Sequence, residues 1–190
     1  MLPETLMLGG IVLAGAAAFL LLSYRFARIA SLASSPRLAL AAAGFSVLGM
    51  AQLLSAASYY SSEARDAYMF YVGSTSFSMA GYVLILASAS PSRGGGLYAV
   101  SPALLLPSAI DITAGLLAGV LAYVAGGVAR AGFAVLAISH FLRAAPLLGG
   151  GLHLGSALPL LVLVGEVVRA VSASALALFY TKGVLGHEAE

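Results

Sequence analysis

The chain has 190 residues, of which 61% are hydrophobic and only 8% charged, against about 25% charged in a soluble domain. A chain this apolar cannot clothe a water-facing surface, so lipid is its solvent. The formal net charge of +2 is too small and too scattered for a nucleic-acid surface, and the absence of Cys removes disulfides, thiolate metal sites and thiol nucleophiles.

The N-terminus, Met1-Leu2-Pro3-Glu4, lacks the basic stretch of a cleavable leader, so the first apolar segment is expected to stay as a membrane helix. A helix needs about 20 apolar residues to cross the hydrocarbon, and six segments approach that. The first runs from about Thr5 to Tyr24 and ends in Arg25 and Arg28. After Ser34-Ser35-Pro36-Arg37, the second runs from about Leu38 to Tyr59. A polar turn, Ser61 to Asp66, leads into the third, about Ala67 to Ser88. The aromatic residues Tyr59, Tyr60, Tyr68, Phe70 and Tyr71 bracket that turn and read as an interfacial belt.

Residues 91–96 form a Pro/Gly linker. Leu97 to Leu106 is apolar but short and contains Pro102, which suits a re-entrant or interfacial piece or an extra turn before the next helix. The fourth helix is expected over about Pro107 to Val124, the fifth over Ala129 to Leu148 and the sixth over Ala157 to Thr181, with glycine breaks at Gly126-Gly127 and Gly149 to Gly151. Within the fourth, Gly115 and Gly119 form a GxxxG pair suited to close helix packing.

Three stretches of the first half recur in order in the second. Ala14 to Phe19 matches Ala118 to Tyr123, Gly44 to Leu48 matches Gly132 to Leu136, and Gly81-Tyr82-Val83 matches Gly165-Glu166-Val167. The fold expected is therefore all-α: a polytopic membrane domain of six transmembrane helices built as two three-helix repeats, residues 1–92 and 97–190. An odd-numbered unit starts its second copy on the opposite side of the membrane, so six crossings imply inverted repeats. Arg25, Arg28, Arg37 and Arg93 then share one side, assigned to the cytoplasm, while Arg65, Arg130 and Lys182 share the other with both termini. Crossing by Leu97–Leu106 would instead make the halves parallel and put the C-terminus inside.

Ionisable residues inside a bilayer are costly and mark function by default. Five lie in the expected spans, all in the second half: Asp111, His140, Arg143, Glu166 and Arg169. His140 and Arg143 share a helix face, as do Glu166 and Arg169, since each pair is three residues apart. Gln52 and Tyr82 occupy the matching places of His140 and Glu166 in the first half. These seven residues are the candidate binding site. Glu166 and Asp111 serve as proton or cation sites, Arg143 and Arg169 as their partners or as anion contacts, and His140 as a titratable gate.

Each has a plainer reading. Glu166–Arg169 can be a structural pair within one helix, His140 can bond a carbonyl or Gln52, and Asp111 can sit at a helix start near the interface. No catalytic motif and no metal-ligand cluster stands out, so an enzyme is not expected. No cofactor is expected either, haem through His140 being the one option. No mid-span Lys suits a retinal Schiff base, and the Asn-Pro-Ala pair of an aquaporin is absent.

The function expected is that of a small transporter or channel-like protein of the plasma membrane, with a polar mid-membrane site for an ion, proton or small solute. The alternative is a non-catalytic accessory or sensor subunit of a larger membrane complex, possibly respiratory. The partners expected are the lipid bilayer and either copies of the same chain or other membrane subunits.

Overall fold

The computed structural model describes residues 3–89, 107–148 and 158–187. Among these the chain is all helical, with α1 Pro3–Ala33, α2 Pro36–Tyr60, α3 Ala64–Ala89, α4 Pro107–Val124, α5 Gly127–Leu148 and α6 Leu158–His187. Five helices are long and apolar enough to cross a membrane, and the described side chains of α4 add a shorter apolar stretch, Asp111–Val124. The chain is thus a helical protein of multi-pass character. The linker 91–96, the apolar segment 97–106, Gly149–Gly151 and His153 lie outside the described residues.

Local chemistry sets the turns. Ser35 caps α2 by accepting a hydrogen bond from the Leu38 N–H at 3.4 Å, and Pro36 follows at the first helical position, where no N–H is needed. Between α4 and α5, Gly127 adopts φ +55, a left-handed conformation that glycine takes without steric cost. Large apolar side chains such as Leu13, Leu20, Leu116, Val171 and Leu178 face outward, which places greasy surface where lipid would be.

Each helix packs against its neighbours in the chain, and α6 closes the circle on α1. The result is a ring of six helices around a common axis. Small residues let the backbones approach. A Cβ added to Gly44 on α2 would fall 2.9 Å from the Gly81 carbonyl oxygen on α3, and one added to Gly81 would fall 3.0 Å from that of Gly44. In the GxxxG pair only Gly115 does this, facing Ala137 and Phe141 of α5, while Gly119 opens onto empty space.

Helix directions follow from the contacts. Successive helices are antiparallel within each half: Ser23 of α1 bonds Ala42 of α2, Leu54 lies beside Gly73 and Ile85 beside Gly44. The same alternation joins α4 to α5 and α5 to α6, with Asp111 at His140, and Ser172 bonding Gly132. But α3 and α4 run parallel. Tyr71 near the start of α3 bonds Asp111 near the start of α4, and the ends of both helices, Ser88 and Val124, line one cavity. Helices α1 and α6 are parallel too, from Gly15 beside Ala170 to Phe26 beside Tyr180.

This corrects the expectation of inverted halves. Helices α1, α2 and α3 point the same way as α4, α5 and α6 respectively. The physical reason is that the end of α3 and the start of α4, which residues 90–106 join, lie at opposite ends of the bundle. The start of α1 and the end of α6 therefore also lie at opposite ends, not on one side. Arg25, Arg28, Arg37 and Arg130 now share one end, while Glu63, Arg65 and Asp66 mark the other. These are the basic and acidic ends below.

Candidate functional site

The inner face of every helix repeats at three- or four-residue steps, and reading those faces from the basic end gives the axis. Its first layer is apolar. Phe26, Phe45, Ile85, Leu121, Phe133 and Tyr180, one from each helix, line a cavity of about 280 Å³. One turn further in, Leu48, Leu136 and Leu176 are fully buried and close the axis with Ala118 and Ala173. Beyond them the same faces become charged: α5 continues from Phe133 and Leu136 to His140 and Arg143, and α6 from Tyr180 and Leu176 to Arg169 and Glu166.

Asp111 and His140 are 0% exposed, Glu166 and Arg169 1% and Arg143 4%. All five predicted charges meet. The His140 Nδ1 lies 2.8 Å from Asp111 Oδ1. Arg143 Nε sits between two acids, 3.8 Å from Asp111 Oδ2 and 3.5 Å from Glu166 Oε1, with its guanidinium 4.9 Å over the Tyr71 ring. Arg169 Nη1 lies 3.9 Å from Glu166 Oε2. The arginine–carboxylate contacts are thus longer than hydrogen bonds.

The first half supplies the hydroxyls. Tyr82 Oη is 3.0 Å from His140 Nε2. Gln52 is buried but lies apart, with Oε1 beside Gly15 of α1. Three further members were not predicted. Ser55 and Tyr59 donate to Glu166 Oε1 at 3.3 and 3.1 Å, and Tyr71 donates to Asp111. Tyr59 and Tyr71 thereby leave the interfacial belt assigned to them. A signal was present: Gln52, Ser55 and Tyr59 share a face of α2, and Tyr71, Ser74, Thr75, Ser78 and Tyr82 make a polar inner stripe on α3.

The hydrogen bonds fix the imidazole tautomer. A carboxylate can only accept, so Nδ1–H donates to Asp111 and the Tyr82 hydroxyl donates to Nε2. Both ring nitrogens are therefore engaged by protein groups. Among the described residues no group of three or more His, Cys, Asp or Glu is arranged to hold a metal.

The site lies toward the acidic end of the helices. Tyr59 is the next-to-last residue of α2, Asp111 is one turn into α4 and Glu166 about two turns into α6. At about 1.5 Å per residue, the acids lie within roughly 12 Å of the acidic-end helix termini. His140, Arg169 and Tyr82 reach deeper. The arrangement can hold charge away from water, receive and release a proton at Nε2, and contact a small polar ligand. Comparison with known family models, curated proteins and solved structures returns no match to any of the three.

Proposed function

We propose that this chain is a small permease of the cell membrane that moves a polar solute or ion along the axis of its six-helix ring. The observation that carries the reading is a fully buried cluster of two acids and two arginines held at 3.5–3.9 Å. A cluster built only for stability gains most when its charges close into direct hydrogen bonds, because desolvation of each ion is costly. Charges left apart, with hydroxyls from the other half around them, suit a site that opens to take a ligand.

The axis supports the same reading. A leucine layer about one turn thick separates the cluster from an apolar cavity near the basic end. A thin barrier beside a buried polar site is one of the two gates that alternating access needs.

The sequence matches between the halves, together with the shared directions of α1 and α4, α2 and α5, α3 and α6, support a parallel duplication about an axis along the membrane normal. The acids and arginines then belong to one unit, and Ser55, Tyr59, Tyr71 and Tyr82 to the other. Rocking of one unit against the other would separate hydroxyls from charges. Orientation follows from the arginines: the basic end faces the cytoplasm and the start of α1 faces out.

The test is flux in sealed proteoliposomes across a panel of small anions, cations and neutral solutes, for the native chain and for Glu166→Gln. The native chain should carry one class, and the variant should lose at least nine-tenths of that flux. A native chain that carries none of the panel, or a variant that carries it unchanged, overturns the proposal.

A further inference from the structure

We infer that the ligand of this site is a small monovalent oxyanion, bound by Arg169 and Arg143 and taken up together with one proton; this rests on the permease reading above. Arg169 is buried, yet its Nε and Nη1 have no hydrogen-bond partner. Its Nη2 lies 3.3 Å from His140 Nδ1, the ring nitrogen that already carries a proton for Asp111. No carboxylate therefore lies within hydrogen-bond distance of this guanidinium. Arg143 Nη1 is in the same position, and among the acids Glu166 Oε2 is without a partner.

A buried polar atom without a partner costs roughly 1–3 kcal/mol, more when it is charged. Unmet donors on two guanidinium groups outnumber the one unmet acceptor, so the missing species is rich in acceptors. Guanidinium is a planar fork that matches the geometry of an oxyanion such as nitrate or a carboxylate. A metal cation would meet the wrong groups, since the open atoms are mostly N–H.

Charge then fixes the stoichiometry. Asp111, Glu166, Arg143 and Arg169 sum to zero with His140 neutral. A monoanion alone would leave one net negative charge in a low-dielectric site, which is costly. One proton restores neutrality.

The place for it is His140 Nε2, whose lone pair now accepts from Tyr82. When Nε2 takes a proton from solution, its new N–H donates to Tyr82 Oη and the hydroxyl turns away, while Nδ1–H keeps Asp111. The groups facing the ring are Tyr82 of α3, Asp111 of α4, Arg143 on its own helix and Arg169 of α6. An anion seated on the two arginines offsets their charge, so anion and proton each favour the other's binding. Loaded or empty, the site is neutral.

The measurement is calorimetry on the purified chain in detergent, titrating nitrate and formate separately in two buffers of different ionisation heat. Sulfate and sodium serve as controls. One nitrate should bind with uptake of about one proton. Arg169→Gln should weaken nitrate at least tenfold, and His140→Gln should remove the proton uptake, with thermal unfolding confirming that both variants fold.

The native proton count decides the matter even if both variants fail to fold. Nitrate bound without a proton overturns the coupling. If neither anion binds the native chain while proteoliposomes carry another solute in a Glu166-dependent way, the anion inference falls and the permease reading stands. If nothing binds and nothing is carried, both fall.

Discussion

Replacing Arg143 by Met removes the one cation that lies between both buried acids, 3.8 Å from Asp111 and 3.5 Å from Glu166. Methionine keeps much of the side-chain volume, so the cost is electrostatic. Glu166 retains Arg169 at 3.9 Å, whereas Asp111 retains only hydrogen bonds from Tyr71 and His140. Removing one partner of a buried ion pair costs about 3–5 kcal/mol, because a charge is left uncompensated. At 1.4 kcal/mol per factor of ten, that is about two to four powers of ten in the folded-to-unfolded ratio. Loss of the contact over the Tyr71 ring is a smaller cost of about 0.5–2 kcal/mol.

The assay is reversible unfolding in bicelles. Arg143→Met should lose at least 3 kcal/mol, and Arg143→Met with Asp111→Asn should recover about half or more, since Glu166 then faces Arg169 at 3.9 Å. A single variant that loses less than about 1 kcal/mol, or a double variant no better than the single, refutes the account of a desolvated cluster.

Further expectations concern packing, hydroxyls and topology. Gly44→Ala would place a Cβ 2.6 Å from Ile85 Cγ1 and 2.9 Å from the Gly81 oxygen; overpacking of this kind costs about 1–3 kcal/mol in the same unfolding assay. Gly119→Ala, which meets nothing within 4 Å, should lose nothing measurable. Tyr71→Phe takes a donor from the buried Asp111 carboxylate and should cost about 1–3 kcal/mol. Because the chain has no Cys, Ser62→Cys and Gly126→Cys each introduce a single thiol at an exposed turn. An impermeant maleimide on intact cells should label Ser62→Cys and spare Gly126→Cys; labelling of both from one side would restore the inverted arrangement.

Composition and spacing were enough to read the apolar helices and to pick out the charges that meet. The i, i+3 pairs His140/Arg143 and Glu166/Arg169 each share an inner face, and five costly groups in three neighbouring helices have few ways to be satisfied except together. Tyr59 and Tyr71 were misread because a tyrosine near a helix end is equally at home in a headgroup belt or on a buried acid. Only the facing helix decides between them.

Helix direction was misread for a different reason. It is a parity, set by every connection at once, and residues 90–106 look too short and too Pro-broken to change it. The arginines held the contrary hint. Inverted halves split Arg37 from Arg130, whereas parallel halves gather Arg25, Arg28, Arg37 and Arg130 at one end, leaving Arg65, outside the buried cluster, as the one described arginine at the other.

The central claim is that the charged cluster lies on a path that opens across the bundle. Ala173 sits on that path, between Arg169 and Leu176 of α6, and is 0% exposed. The most direct measurement is the rate at which an impermeant maleimide reaches Ala173→Cys in sealed, oriented proteoliposomes. The account predicts labelling from each side in turn as the carrier cycles, slowed at least severalfold by nitrate. A thiol that stays unreactive from both sides would make the cluster a closed structural core and contradict the account.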